Sequence, residues 1–486
     1  MKSLENGVML QSFEWEMSND GQFYNNLRSK AAELKKLGFD SIWLPPIFKA
    51  TGTNDVGYGV YDLYDLGEFN QKGDIRTKYG NKEELLELIQ TLHAENILVY
   101  LDIVLNHKAG ADYSERFHAS KVDPNNRSQV IESSREIEAW TGFDFPGRNN
   151  VYSDFKWNFN LFTGVDYDQI TGESAIFKID GENKGWSYGV STEKGNFDYL
   201  MFADIDHAHP EVRKELLRWS DWLIETTAAD GFRMDAVKHI DDEFMQIFSE
   251  HVLRNHPNFY IFGEFWETGL SAAKHYLHET EYNMDIFDVP LHFNMLEASK
   301  NPNYDLRKIF DGTLVQSHPL QAVTFVDNHD SQPGQALESW VDRSFKEKAY
   351  ALILLRKDGY PCVFAGDYYG IHNGDYLQED LRYDIDRLLE LRKNYAWGEQ
   401  FDFFQDSQAI AWTRTGTTEH PGLLAVTMSM HSNANLELDF GPEAAYEVFY
   451  DYLNRHDGYE ITLDENGQAS FPVKAGSLSC WVNRQK

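Results

Sequence analysis

The stretch GFRMDAVKH, residues 231–239, decides the fold prediction because, apart from its closing Lys238 and His239, it resembles a buried strand and yet carries two opposite full charges. Side chains repeat along a strand with a period of two, so Arg233 and Asp235 must point the same way. Burying an ion is costly unless it is paired and hydrogen-bonded. The two residues are therefore either a structural ion pair or part of a functional site that requires an ionised carboxylate at this position.

Seven further segments have the same β-rich character, and longer amphipathic segments lie between and after them. The eight predicted strands lie in GVMLQSF, FDSIWLPP, ILVYLDIV, GFRMDAV, FYIFGEF, MDIFDV, AVTFVDNHD and YPCVFAGD. Several of the helical patterns, such as KEELLELIQTLHAEN, close on Gly or Asn, as helices commonly do. Eight strand–helix units favour an α/β fold of the parallel (β/α)8 type, the TIM barrel, over a doubly wound open sheet, which does not require the count to stop at eight.

Two regions interrupt this alternation. The region 106–208 is rich in Gly, Asn, Asp and aromatic residues, which predicts an inserted irregular β-rich domain after strand 3. From residue 397 short alternating runs predict a C-terminal antiparallel β-sandwich. The predicted division is a catalytic barrel over 1–105 and 209–396, an inserted domain over 106–208 and a C-terminal domain over 397–486, which suits a chain of 486 residues.

The charge composition restricts the classes of molecule that this protein can bind. Lys and Arg total 44 against 78 Asp and Glu, a formal net charge of −34. A surface this acidic repels nucleic acid and anionic lipid, so we expect neither as a partner. The first residues, MKSLENGVMLQS, lack the basic start and apolar stretch of a secretory signal, which predicts a soluble cytoplasmic protein, and we expect a monomer. Cys362 and Cys480 lie in apolar runs without metal or redox spacing and are predicted to be buried thiols.

Four predicted strands carry an acid at or just past their C-terminal ends: Asp102, Asp235, Glu264 and Asp330. In a TIM barrel these ends meet at one mouth, where the loops build the active site. A single acid there commonly caps a helix or ends a strand. Four acids at the same mouth favour a catalytic site.

Two of these acids have the surroundings that glycoside hydrolysis requires. Arg233 favours the ionised form of Asp235, which can then act as a nucleophile. Glu264, in FGEFW, is flanked by aromatic residues and has no basic neighbour in the sequence, so burial favours its protonated form, as a general acid requires. Adjacent strands lie about 4.8 Å apart, and a retaining glycosidase holds its two carboxyl groups about 5 Å apart.

At these residues the chain resembles the α-amylase family, glycoside hydrolase family thirteen, and within it the bacterial liquefying type. Its four signature regions are matched in order by DIVLNH, GFRMDAVKH, FGEFW and FVDNHD, and two further stretches by DVGYGVYDLYDLGEF and LMFADIDHAHP. The resemblance covers nearly the whole chain and implies the barrel, the inserted domain and the C-terminal sandwich. It also implies endo-hydrolysis of α-1,4-glucan, such as starch, glycogen or maltodextrin, with retained configuration through a covalent glycosyl-enzyme intermediate.

The resemblance further implies roles for single residues. Asp235 would be the nucleophile, Glu264 the general acid/base, and Asp330 would bind hydroxyls of the distorted sugar. Arg233 would orient Asp235, and Asp102 would support the cluster from beneath.

Substrate-binding roles are implied for five more residues. His107 and His329 would hydrogen-bond the sugar in the cleaved subsite, and Tyr58 would stack on its face. Lys238 and His239 would lie toward the leaving group. For His107 and His329 the structural alternative is a buried imidazole with satisfied hydrogen bonds, and for Tyr58 it is plain aromatic packing. For Lys238 and His239 the alternative is a solvated strand end.

A structural calcium ion is also implied, tying the inserted domain to the barrel. Calcium takes six to eight oxygen ligands, and the family pattern is matched by Asn106, Asp198, Asp204 and the backbone carbonyl of His239. As an alternative, the two aspartates decorate a polar loop. Many liquefying-type members hold further ions nearby, but here Thr163 and Ser187 stand at two of the aspartate positions, although Asp206 is kept. We therefore predict one calcium ion.

Other enzyme classes are less well supported. GWSYG, residues 185–189, fits the nucleophile elbow of esterases but lacks the flanking strand and helix which that motif needs. A silent glucan-binding barrel would lack a catalytic acid, and none is missing. The family's α-1,6 enzymes usually lack the Lys–His pair after the nucleophile strand and differ where this chain has ADID, which favours α-1,4 hydrolysis.

Overall fold

The computed structural model describes residues 6–373 and 376–484, and in it the eight predicted strands close into one parallel barrel. Each strand pairs with the next one along the chain, and the eighth pairs with the first. The predicted fold class is confirmed. The barrel strands span Met9–Gln11, Ser41–Leu44, Leu98–Ile103, Gly231–Met234, Tyr260–Gly263, Asp285–Phe287, Ala322–Phe325 and Tyr360–Phe364.

Amphipathic helices pack around the barrel. The helix Lys82–Ala94 begins with a capping box, in which Asn81 and Glu84 each bind the other's backbone N–H. Its buried residues recur every three or four positions, as expected for a helix with one face on the core: Leu85, Leu88, Ile89 and Leu92. The α-helices span Phe23–Ser29, Ala31–Leu37, Lys82–Ala94, Pro210–Thr227, Asp242–Asn255, Leu270–Glu279, Val289–Lys300, Leu314–Ser317, Arg343–Leu354, Ala365–Tyr368 and Arg382–Tyr395.

The helical pattern over residues 25–38 forms two helices instead of one. They meet at Lys30, whose N–H bonds to the carbonyl of Leu27, three residues back rather than four, so the turn tightens there. Short 3-10 turns occur at Phe159–Leu161, Glu193–Gly195, Val237–His239, Leu306–Lys308, Pro319–Gln321 and Pro442–Ala444.

A six-stranded antiparallel sheet lies between the third barrel strand and the helix Pro210–Thr227. Two of its strands form a long hairpin. Its buried aromatic residues belong to the same apolar cluster as the barrel core, so the sheet packs directly on the barrel. The strands span His107–Lys108, Tyr113–Asp123, Asn126–Gly142, Phe162–Asp168, Glu173–Ile179 and Ala203–Ile205.

The C-terminal region forms a six-stranded antiparallel sheet and a two-stranded one, with an apolar cluster between them that includes Trp481. Cys362 and Cys480 are free, buried thiols. The strands span Gln400–Phe403, Ala409–Arg414, Leu424–Ser429, Ala434–Asp439, Val448–Asp451, Glu460–Thr462, Gln468–Val473 and Leu478–Asn483. Two small ribbons pair Lys49–Ala50 with Val60–Asp62 and Ile371–Asn373 with Tyr376–Gln378.

Within residues 6–373 and 376–484 we find no helix with the length and apolar character that a bilayer span needs.

Candidate active site

The ends of the fourth and fifth barrel strands bring two acids to the barrel mouth. Asp235 follows the last strand residue, Met234, and its N–H still bonds to the carbonyl of Ile103 on the third strand, at 2.9 Å. Glu264 likewise follows the fifth strand, and its N–H bonds to the carbonyl of Met234 at 2.9 Å. The backbones of both acids are thus fixed by continuation of the sheet hydrogen bonds.

Arg233 joins three carboxylates in one cluster. Its Nη1 donates to Asp102 Oδ1 at 2.8 Å and to Asp235 Oδ1 at 2.7 Å, and its Nη2 donates to Glu264 Oε2 at 2.7 Å. The side chain is fully buried. One guanidinium therefore holds the two acids of the fourth and fifth strands in one site, as a reaction at a single glycosidic bond requires.

Glu264 keeps the character expected of an acid despite this cation. Burial raises its pKa, and the charges of Arg233 and Lys238 only partly oppose that effect. Its two hydrogen bonds, from Arg233 and from the N–H of Ala236, both fall on Oε2. The other oxygen, Oε1, is therefore the atom that can carry a proton toward a ligand.

Asp102 lies beneath this cluster. Its Oδ2 accepts from the indole of Trp43 at 3.0 Å and from the hydroxyl of Tyr58 at 2.9 Å. Burial raises the pKa of Asp102 to about 7, although Arg233 acts in the opposite direction. Its side chain is fully buried, which is consistent with a supporting position.

His329 and Asp330 reach the same mouth on the loop after the seventh strand. The amide of Gln11 donates to His329 Nδ1 at 2.9 Å, which assigns the ring proton to Nε2. That Nε2 lies 3.3 Å from Asp330 Oδ2. Burial and the nearby Glu264 carboxylate raise the pKa of Asp330.

Tyr58 forms one wall of the mouth. Its ring stacks on His329, with centroids 5.2 Å apart, and on Trp15, with centroids 5.9 Å apart. Trp15 was not predicted from the sequence, although it lies four residues past Gln11, at the end of the first strand. Examining every strand end for aromatic residues as well as acids would have found it.

His107 has protein partners on both ring nitrogens. Its Nε2 donates to the carbonyl of Tyr58 at 2.8 Å, and its Nδ1 lies 3.4 Å from the amide nitrogen of Asn106. Burial lowers its pKa, so the ring is neutral. This is the arrangement of a satisfied buried imidazole, and the sugar contact of His107 stays a prediction.

Lys238 and His239 join the barrel to the inserted sheet. Lys238 Nζ donates to Glu193 Oε2 at 3.0 Å and to the carbonyl of Trp266 at 2.9 Å. His239 Nδ1 donates to the carbonyl of Phe197 at 2.7 Å, and burial lowers its pKa to about 3. Both side chains border the loop that carries Glu193, on the inserted-domain side of the mouth.

Three of the four residues predicted to hold calcium, Asn106, Asp198 and Asp204, lie close to one another and suit a hard cation. Asp198 and Asp204 are both 1% exposed. Burial is the main cause that raises the pKa of each carboxyl, and charge repulsion adds to it, from Asp206 on Asp198 and from Asp198 on Asp204. Asn106 donates from its amide nitrogen to Asp204 at 3.2 Å, while its Oδ1 is buried without a partner. An unpartnered amide oxygen beside two buried carboxylates is the donor set that calcium takes.

Two features of this cluster bear on the number of ions. The ammonium of Lys184 donates to Asp206 Oδ2 at 2.7 Å and to the carbonyl of Phe162 at 3.1 Å, so Asp206 already has a cation. Across the described residues, no group of three or more His, Cys, Asp and Glu side chains is placed to hold a metal ion. Any ion here would depend on amide and backbone oxygens as well.

A family model and relatives that match nearly the whole chain agree on the family of this protein. The α-amylase catalytic domain family matches residues 19–418. The chain is 48% identical to a glucan 1,4-alpha-maltohexaosidase of Bacillus sp. (strain 707) over 99% of this chain and 93% of that protein. It is 41% identical to a cytoplasmic alpha-amylase of Escherichia coli (strain K12) over 99% of both chains.

Solved structures agree at the level of the fold. An α-amylase from Geobacillus thermoleovorans, solved in complex with acarbose, has a TM-score of 0.65 at 17% identity over the full length of both chains. With the family match and the near-complete coverage at more than 40% identity, the conclusion is that this chain belongs to the α-amylase family of glycoside hydrolases.

Proposed function

We propose that this protein is an endo-acting α-amylase that hydrolyses internal α-1,4 bonds of starch, glycogen or maltodextrin with retention of configuration. One observation carries the proposal: Arg233 binds Asp235 and Glu264 through different nitrogens of one guanidinium. Two carboxyl groups that share one buried cation, of which Glu264 has a pKa raised by burial, suit a double displacement.

In the first step Asp235 attacks the anomeric carbon through the oxygen that Arg233 does not bind. Glu264 gives its proton to the glycosidic oxygen as the bond to the leaving sugar breaks. Asp330 and His329, at the same mouth, support the proposal because a carboxylate and an imidazole N–H can bind the hydroxyls of the sugar while it flattens. Tyr58 and Trp15 provide the aromatic wall on which that sugar stacks.

In the second step Glu264, now ionised, takes a proton from water. The water oxygen attacks the anomeric carbon, the bond to Asp235 breaks, and the product leaves with the configuration of the substrate. Arg233 balances the charge on whichever acid is ionised, since it contacts both. Asp102, hydrogen-bonded to Arg233 and Tyr58, positions these two groups.

The proposal includes one structural calcium ion held by Asn106, Asp198, Asp204 and the backbone carbonyl of His239. When bound, it would neutralise the two buried carboxylates and connect the inserted sheet to the barrel. The Lys184–Asp206 pair supports a single ion, because an ammonium already serves the remaining aspartate.

We also propose the predicted division into a barrel domain (1–105 and 209–396), an inserted domain (106–208) and a C-terminal domain (397–486), which is supported by the separate sheets. An α-glucan is the proposed partner, with no nucleic acid or membrane, and the active unit is a monomer. A cytoplasmic location is supported by the 41% identical relative of that name.

The test is digestion of a blocked maltoheptaoside, with products followed by chromatography and NMR. Internal cleavage products with α-configured ends should appear first, and Glu264→Gln should lower kcat by at least about 100-fold because the general acid is lost. Glu267→Gln is the matched control: it lies on the same loop, its side chain accepts a hydrogen bond from the hydroxyl of Ser191, and it should remain active. Release of glucose alone from one end, or normal turnover by Glu264→Gln, would contradict the proposal.

A further inference from the structure

Lys346 is a fully buried cation outside the cluster just described. It lies on the helix Arg343–Leu354, and its side chain is 0% exposed. Its ammonium contacts Asp327 Oδ2 at 2.9 Å and Asp367 Oδ1, and it lies 3.1 Å from the centre of the Trp340 ring. A buried ammonium costs several kcal/mol of desolvation unless its partners compensate, so a specific reason for keeping it is worth seeking.

One partner, Asp327, closes the loop after the seventh strand. Its Oδ1 accepts from the hydroxyl of Ser331 at 2.8 Å, and its Oδ2 accepts from the N–H of Val341 at 3.3 Å. Within the same turn, Asn328 Oδ1 accepts from the N–H groups of Asp330 and Ser331. Asp327 therefore anchors a hydrogen-bonded turn, residues 327–331, whose interior includes His329 and Asp330.

The other partner, Asp367, follows the eighth strand. Its Oδ2 accepts from the hydroxyl of Tyr350 at 2.7 Å, and its carbonyl accepts from the N–H of Leu381 at 2.8 Å. The Lys346 ammonium thus connects the ends of the seventh and eighth strands. It reaches the 327–331 turn from the helix Arg343–Leu354, which packs against both of these strands.

We propose that Lys346 is a positioning residue that holds the 327–331 turn so that Asp330 and His329 meet the sugar. This inference rests on the roles of those two residues in the proposed function. Lys346 itself touches no substrate. Its action passes through Asp327 and Ser331 to the backbone of the turn.

Removing the Lys346 ammonium changes the protonation or the orientation of the Asp327 carboxyl. Burial already raises the pKa of Asp327 to about 7, and the neighbouring Asp367 carboxylate acts in the same direction, whereas Lys346 opposes both. Without Lys346 the carboxyl either takes a proton or turns away from Asp367. Either change disturbs the bonds to Ser331 and Val341, and a shift of about 1 Å in a reacting group costs on the order of 100-fold in rate.

The same helix offers a matched control. Lys348 is also buried, but its ammonium donates to the carbonyls of Ser344 and Gly476, away from the active-site loop. Lys346→Met and Lys348→Met each delete one buried ammonium from one helix. Only Lys346→Met removes the link to the 327–331 turn.

The experiment measures kcat and KM on the blocked maltoheptaoside for the parent, Lys346→Met, Lys348→Met, Asp330→Asn and the double variant Lys346→Met/Asp330→Asn. We expect kcat to fall on the order of 100-fold in Lys346→Met with KM little changed. Lys348→Met should lose thermal stability but keep kcat. The double variant should resemble Asp330→Asn alone, because residues that act through one another are not additive.

Ser331→Ala tests the same link without deleting a charge, in case Lys346→Met does not fold. It should lower kcat severalfold, again with little further effect on Asp330→Asn. The inference is overturned if Lys346→Met or Ser331→Ala keeps the parent kcat, if Lys348→Met loses as much as Lys346→Met, or if the two losses multiply in the double variant. A parent enzyme without α-amylase activity would overturn the proposed function and, with it, this role.

Discussion

Glu264 shows how neighbouring charges set the pH range in which a general acid works. Burial raises its pKa, so the protonated form needed for catalysis persists to higher pH than for an exposed glutamate, and activity falls as pH rises through that pKa. The Lys238 ammonium lowers the same pKa. Lys238→Met should therefore move the alkaline limb of the kcat/KM profile to higher pH by a few tenths of a unit.

Glu193→Gln is the control for this shift. It removes the carboxylate that Lys238 contacts at 3.0 Å but leaves the ammonium in place. The alkaline limb should then stay where it is or move to lower pH. A limb that moves upward in both variants would assign the effect to the broken loop contact and not to the charge.

The pairing of Arg233 with Asp235 follows from the sequence, whereas its pairing with Glu264 does not. Residues two apart on one strand share a face whatever the rest of the chain does. The contact with Glu264 depends on the register between two strands, in which Arg233 lies opposite Phe262. No local pattern encodes that register, so the sequence indicated a Glu264 without a basic neighbour.

At the scale of elements, the eight barrel strands were predictable because each is a short apolar run bounded by helical patterns. The inserted sheet was predicted only as irregular and β-rich. Its long hairpin has strands that are exposed over much of their length, so the alternation of buried and exposed residues is weak. The boundaries of its individual strands could not be read from residue patterns for the same reason.

The contact between the inserted sheet and the barrel gives a prediction about metal removal. A chelator should lower the melting temperature, because an ion present at 100 to 1,000 times its Kd stabilises the folded state by about 3–4 kcal/mol. Elemental analysis should find one calcium per chain. An unchanged melting temperature after chelation would remove the metal from the proposal.

Two substitutions separate the proposed calcium ligands from their neighbours. Asp204→Asn should abolish the response to the chelator, since one of the two buried carboxylates is lost. Asp206→Asn should keep the response, because Asp206 is paired with Lys184 and lies outside the proposed ligand set. A response lost in Asp206→Asn would show that the ion depends on Asp206 and would contradict the proposed ligand set.

For the molecule as a whole, the net charge of −34 predicts a stability that depends on salt. Like charges over the surface repel one another and disfavour the compact state. Monovalent salt screens this repulsion over a Debye length of about 10 Å at 0.1 M. At fixed calcium concentration, the melting temperature should rise from low to physiological ionic strength, as followed by scanning calorimetry.

Charge exchange on the C-terminal region provides the comparison. Glu419 and Glu465 are exposed, and replacing both by lysine reduces the net negative charge without touching the barrel mouth. The double variant should respond less to salt than the parent. An equal response would mean that specific ion binding, and not general repulsion, causes the effect.

The cluster around Arg233 has a consequence for how this protein tolerates mutation. The guanidinium compensates three acids in the interior, so its replacement strands several negative charges away from water, a change that typically costs 3–5 kcal/mol. In a library of mutants, variants at Arg233 would accumulate little folded protein. They would therefore be lost before their turnover is measured. Substitutions that neutralise Asp235 or Glu264 leave a smaller imbalance of buried charge. These variants should be recovered as folded but inactive protein.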